Sequence, residues 1–326
     1  MKGFSFWIFI STVYFAYSVT CNALAFGGGG ALGSHSAGAF SAFANLLPPS
    51  EVNYTVITGI SAGSLNSVAV TQYPSGSEID ASNYLLSLWH TVNGSQSIYE
   101  EWTGGLVAGL LFHSGLYSTE PLYSILKKYI TKPAQRRLSM GTVEINSGRF
   151  QNYNETLPTS GIQTAAMCSS AIPVLFQNRD FNGGVYCDGG LFQGINAVTA
   201  VERCFEVTDQ ESEINLDIFS CFPKILPNEA SKMRTPEVIQ RAFEVRSYTG
   251  SVKSIKNAKQ SYPNVNYRYF VAPTMHLPSL GTLNFTQAFI SEVIQDGYSD
   301  GQNVIKSGPN LKTMIELGLE KIIYPI

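Results

Sequence analysis

The chain has 326 residues, 44% of them hydrophobic and 14% charged, with a formal net charge of −3. That apolar content is enough for a large core and excludes a disordered chain. With no basic block beyond Arg136-Arg137, the charge balance also argues against a nucleic-acid partner.

The first segment reads as a targeting signal. Lys2 precedes an apolar run over residues 4–17, shorter than the about 20 residues of a membrane span and right for a signal-peptide core. Two cleavage signals compete, Ala16-Tyr17-Ser18 and Ala23-Leu24-Ala25. Cutting at the second would remove what reads below as the first core strand, so cleavage after Ser18 is expected, and an uncleaved anchor is the alternative. A secreted chain, or one held in the secretory lumen, agrees with four N-x-S/T sequons at Asn53, Asn93, Asn154 and Asn284. Asn53 abuts a core strand, so not all four are expected to carry glycan. Cys21, Cys168, Cys187, Cys204 and Cys221 follow the signal. Their odd number leaves at least one free or paired between chains.

Residues 19–326 show no repeat and are read as one α/β domain, although two average domains would fit the length. Residues 21–40 predict a strand, a glycine loop and a helix. Successive glycines in that loop can turn their backbone N–H groups toward one point at the positive end of a helix. Such a loop suits a phosphate or an oxyanion. The Gly-Lys-Ser/Thr ending of a phosphate loop and an acidic ribose partner are both missing, which favours the oxyanion.

A Pro48-Pro49 turn leads into residues 54–58, β-branched and aromatic, and then Gly59-Ile60-Ser61-Ala62-Gly63. A serine between a strand and a helix, flanked by glycines that let the two approach, is a nucleophile elbow. Residues 80–92 predict a helix. Residues 102–112 are apolar and glycine-punctuated, and read as a buried connection, with a flexible lip for an acyl chain as the other reading. A helix follows Thr119-Glu-Pro121 with a stripe of Leu122, Ile125, Leu126, Tyr129 and Ile130, and a hairpin turns at Asn146-Ser-Gly148. Gly184-Val-Tyr-Cys187 is a short strand delivering Asp188-Gly189-Gly190. Helices and strands (residues 216–221 and 267–271) then alternate up to an amphipathic helix over residues 311–322.

Four histidines are scattered through the chain. Ser61, Asp188 and His276 stand in the order of an α/β-hydrolase triad, but His276 lies in a proline-bounded loop, and the serine follows only the second strand. The order glycine loop, G-x-S-x-G, D-G-G instead resembles the patatin-like phospholipases. Gly28-Gly29-Gly30-Ala-Leu-Gly33 is similar to their oxyanion motif, Gly59 to Gly63 to their nucleophile motif, and Asp188-Gly189-Gly190 to their D-G-A/G. The likeness extends to Ser114-Gly-Leu-Tyr117, the hairpin and Cys168-Ser-Ser-Ala-Ile-Pro173, and covers roughly residues 22–200.

The resemblance implies a three-layer α/β/α sandwich around a central, mostly parallel sheet, and a lipid acyl hydrolase. It implies Ser61 as nucleophile, Asp188 as base in a Ser–Asp dyad, and the N–H groups of Gly28, Gly29 and Gly30 as the oxyanion hole. No metal and no cofactor is expected. Expected partners are a lipid or phospholipid and, transiently, a membrane surface. Leu32 stands where the family usually carries Arg or Lys, and the Asn-x-Pro that often follows D-G-G is replaced by Gly194-Ile-Asn196. A lipid-binding or storage protein with a degenerate site is the remaining alternative.

Overall fold

The computed structural model describes residues 19–223, 233–275 and 281–312. The expected signal segment, His276 and most of the helix expected over 311–322 lie outside the described residues.

β1 (Cys21–Phe26) enters the glycine loop, which passes through one 3-10 turn, Gly30–Leu32, into α1 (Gly33–Leu46). A single turn, α2 (Pro49–Val52), with proline at its first position, leads to β2 (Tyr54–Ile60) and, across Ser61, to α3 (Ala62–Val70). After α4 (Glu78–His90), β3 (Glu100–Glu101), α5 (Gly105–Phe112) and β4 (Gly115–Ser118) form an outlying unit. α6 (Glu120–Tyr129) precedes the expected hairpin, β5 (Arg137–Glu144) and β6 (Arg149–Asn154). The segment α7 (Thr159–Ser169), β7 (Val174–Phe176), β8 (Arg179–Phe181) and β9 (Gly184–Asp188) delivers the aspartate. α8 (Ala197–Cys204), β10 (Ile214–Phe219), α9 (Thr235–Ser261), β11 (Asn266–Val271) and α10 (Gln287–Ser307) follow.

The main sheet has the order β11-β10-β1-β2-β5-β9-β8, with β6 also on β5, and its first five strands run parallel. Such a sheet must be covered on both faces, and β1 is buried at every residue. Alternation divides it: Leu24 and Phe26 join the core beneath α1, α3, α4 and α10, whereas Cys21, Ala23 and Ala25 join the core beneath α8 and α9. This is the three-layer α/β/α arrangement. A disulfide between Cys21 and Cys204, 183 residues apart in sequence, ties β1 to α8, and Cys168, Cys187 and Cys221 are free and buried.

Residues 102–112 correct the sequence reading. α5 is not a buried connection: Val107, Leu110, Leu111 and Phe112 are 64–79% exposed. Its neighbours of any extent among the described residues, β3 and β4, cover the Gly109 side alone, because a two-strand ledge shields one face of a helix.

β5 brings the serine and the aspartate together. β2 pairs along β5 up to Ile60 opposite Gly141, and β9 pairs with Thr142 to Glu144, ending with Asp188 opposite Thr142. β6 occupies the other edge of the same residues, so β9 continues the edge that β2 leaves. Running in opposite directions, β2 and β9 meet end to end, and their next residues converge at the C-terminal end of the parallel strands.

Candidate active site

Ser61 caps α3 with φ 54° and ψ −126°. Positive φ is uncommon for a residue with a side chain and costs of order 1–3 kcal/mol. Its neighbours hold it there. The Ser61 N–H donates to Ser169 Oγ at 3.0 Å, and its carbonyl accepts from the Ser64 and Leu65 N–H groups. Ser169 Oγ in turn donates to the Gly141 carbonyl at 2.6 Å and meets Ser64 Oγ at 2.7 Å. The turn is therefore braced against β5. It also needs Gly63, where a Cβ would stand 2.3 Å from the Phe26 carbonyl of β1. With the peptide so fixed, Oγ rides at the positive end of α3, where a developing negative charge is favoured.

Asp188 is fully buried at the end of β9. Its Oδ1 accepts from the Gly190 N–H at 2.7 Å, while Oδ2 has no hydrogen-bond partner among the described residues. Burial pushes its pKa up to about 7, against the smaller downward pull of the Ser61 hydroxyl and the Gly190 N–H. Ser61 is thus near enough to bias the carboxylate without closing a bond of ordinary geometry to it. Two other buried aspartates make the contrast. Asp217 is held by Arg268, Tyr54 and the Tyr269 N–H, and Asp300 by His35 and Thr274. Those two are structural. Asp188 keeps a lone pair in reserve.

The glycine loop crosses in front of the serine. Gly30 adopts φ +57°, and a Cβ there would lie 2.1 Å from the Thr282 carbonyl, so the left-handed bend admits only glycine. The sequence reading of three oxyanion donors needs correction. The Gly28 N–H is committed to the Gly194 carbonyl at 2.9 Å, because the loop leaves β1 still anchored to the segment after Asp188. Among the described residues the Gly29 and Gly30 N–H groups have no acceptor, and these two remain open. Gly33, where the loop becomes α1, packs on Ala62 and Trp89, with its carbonyl accepting from Asn66 Nδ2 at 2.9 Å. Gly59 and Gly189 pack on backbone, against Gly63 and Gly141 respectively.

A cavity of about 260 Å³ opens over these groups. Ser61, Asp188, Gly190 and the three loop glycines line its floor, and its walls are mainly apolar, with Ile172, Val174, Leu191 and Phe243 among them. Glu244 on the rim is paired with Arg241 and Gln240. Arg246, also on the rim, is exposed, lies over the Phe192 ring at 6.0 Å and has no carboxylate partner among the described residues. Leu32, at the position where a cation was missing, is fully buried.

Sequence reasoning missed the α9 wall, whose lining residues carry no motif. It missed the roles of Ser169 and Gly194 as well, although Cys168-Ser-Ser-Ala-Ile-Pro173 had stood out as a segment. Asn196, in the place of a cleaner motif, is buried, and bonds Asn152 and Gln193. No group of three or more His, Cys, Asp or Glu among the described residues could hold a metal ion.

A strained serine at a strand-to-helix turn, a buried aspartate with an oxygen open among the described residues and a loop with N–H groups likewise open meet in one cavity, the set of parts an α/β hydrolytic enzyme uses. The family model described as patatin-like phospholipase matches residues 24–201, more than half of the chain, and the chain belongs to that family, whose members are hydrolases acting on lipids. Among solved structures it is similar to VipD from Legionella pneumophila, at 12% identity and a TM-score of 0.39, over 88% of this chain and 67% of that one. No curated protein matches it in sequence.

Proposed function

We propose that the chain hydrolyses carboxylic esters of lipids through an acyl-serine intermediate on Ser61, with Asp188 as the base. Ser61 Oγ attacks the ester carbonyl as its proton passes to Asp188 Oδ2. The oxyanion that forms is received by the Gly29 and Gly30 N–H groups, each worth about 3 kcal/mol in comparable holes. The protonated Asp188 then returns the proton to the departing alcohol. Water, deprotonated by the same carboxylate, attacks the acyl-serine; as the acyl–Oγ bond breaks, Asp188 returns that proton to Ser61 Oγ and the fatty acid is released. The observation that carries this reading is a buried carboxylate with its pKa near 7, its Oδ2 unpartnered among the described residues, beside a strained serine. A carboxylate of ordinary pKa is a weak base for a hydroxyl, and burial raises its basicity toward the working pH.

The apolar cavity suits an acyl chain. The Cys21–Cys204 disulfide and the four sequons support an oxidising, secretory location. A fluorophosphonate probe should label Ser61, as read by peptide mass spectrometry, and Ser61→Ala should remove both the label and ester hydrolysis. His276→Ala should leave turnover nearly unchanged. Label on another residue, or a folded His276→Ala protein without activity, overturns the dyad.

A further inference from the structure

α5 reads Gly-Leu-Val-Ala-Gly-Leu-Leu-Phe, without a charge or a polar side chain. Five large apolar residues face outward on it: Leu106 at 44% exposed, Val107 at 66%, Leu110 at 70%, Leu111 at 64% and Phe112 at 79%. Single exposed apolar side chains are ordinary, but a contiguous cluster of this kind marks an interaction surface. At its base Trp102 stacks on His113, centroids 3.6 Å apart, and donates Nε1–H to the Gly115 carbonyl.

The patch shares its support with the mouth of the cavity. Gly115, three residues beyond α5, is the register partner of Val174 in the β4–β7 pair. Val174 is 52% exposed, holds φ 72°, and itself lines the cavity. The strand pair that carries α5 therefore also carries one lip of the pocket. Leu191 and Ile239, 37% and 38% exposed, form other parts of the rim.

We propose that α5 docks on a lipid surface, entering the boundary between headgroups and acyl chains of an uncharged or zwitterionic layer and holding the Val174 lip against it. The proposal rests on the lipid-ester reading above, since the cavity that shares this rim would draw its acyl chain from the same surface. Charge selects the kind of surface. α5 offers no cation, and Glu100 and Glu101 of the neighbouring β3 are exposed, which disfavours an anionic layer. Length selects the mode. Eight helical residues reach about 12 Å against a hydrocarbon core of about 30 Å, so α5 lies in the interface and does not cross.

The test reads α5 directly. A bimane is attached at Leu110→Cys in the full chain. The three free native cysteines are buried, and burial pushes each thiol up to about 12, so labelling selects the new site. On adding phosphatidylcholine vesicles the emission should move to shorter wavelength and be quenched by spin-labelled lipid, while the same probe at exposed Gln210→Cys, at the opposite end of the sheet, should not respond. Val107→Asp/Phe112→Asp should lower turnover on vesicles by roughly tenfold or more and leave turnover of a soluble short-chain ester unchanged. An unresponsive Leu110→Cys probe, or equal loss on both substrates, overturns the docking role. A blue shift that depends on protein concentration without lipid also overturns it, since a second copy would then cover α5. Loss of soluble-ester turnover in the parent chain would instead be a failure of the catalytic reading, and the probe measurement stands apart from it.

Discussion

Asp188→Asn separates the proposed catalytic role from stability, because the two make opposite demands on this side chain. The native pKa near 7 lies about 3 units above the ordinary 3.8. The folded state therefore binds the proton more tightly than the unfolded chain. This group's contribution to stability is fully present below about pH 4, declines as pH rises toward 7, and stays lost above. At 1.36 kcal/mol per unit, the deficit is about 2 kcal/mol at about pH 5 and about 4 kcal/mol at about pH 8. Asparagine cannot ionise, and its amide oxygen can keep the Gly190 N–H bond. Asp188→Asn should therefore be catalytically inert and more stable than the parent, by an amount that grows between those two pH values. Urea unfolding of both proteins, followed by circular dichroism across that range, measures the difference directly. A variant less stable than the parent at about pH 8, or a difference independent of pH, would refute a carboxylate held against its solvation preference.

In the pH dependence of kcat/KM on a soluble ester, activity should rise through an apparent pKa near 7 and level off above, since only the ionised Asp188 accepts the serine proton; a profile flat from about pH 5 would contradict the assignment. Gly30→Ala keeps the N–H but drives a Cβ into the Thr282 carbonyl, so the loop must shift and misaim that donor; turnover should fall roughly a hundredfold, the scale of one lost oxyanion donor. Gly148→Ala, also at positive φ but with nothing within 4 Å of its Cβ, should leave turnover unchanged; equal effects would remove the oxyanion argument. Cys204→Ser should lower unfolding stability by about 2–5 kcal/mol with little change in turnover at low temperature, as measured by denaturation and initial rates. Arg246→Ala should raise KM several-fold for lipids with a phosphate headgroup and not for neutral glycerides, and an equal change for both would leave Arg246 without a headgroup role.

Much of the site could be read from the chain because its local demands are severe. A serine at positive φ requires small neighbours, a glycine loop cannot be either regular element, and an aspartate closing a short strand before two glycines has few other uses. The helices at residues 78–90 and 120–129 and the β5–β6 hairpin were equally legible, since each shows its period or its turn residues. What could not be read depends on distant contacts. The commitment of the Gly28 N–H needs the Gly194 carbonyl, 166 residues away in sequence, and nothing local to the loop announces it. The elevated pKa of Asp188 is a property of burial, which composition does not locate. The exposure of α5 escaped for a related reason. An apolar run without charges predicts burial wherever a partner layer exists, and only the fold reveals that among the described residues just the Gly109 side of this one is covered.

The end-to-end meeting of β2 and β9 has a consequence for how this enzyme tolerates change. The two strands that deliver Ser61 and Asp188 need not touch each other, because both are gauged by successive residues of a third, Gly141 and Thr142. Loops between these elements can lengthen or shorten without altering the gauge. A single residue inserted into β5 between those positions would spread Ser61 and Asp188 by about 3.3 Å, the rise of one strand residue, and end the proximity on which the proposed proton transfer depends. The least conspicuous segment of the candidate site, with no side chain in the proposed chemistry, is therefore the one whose length is fixed.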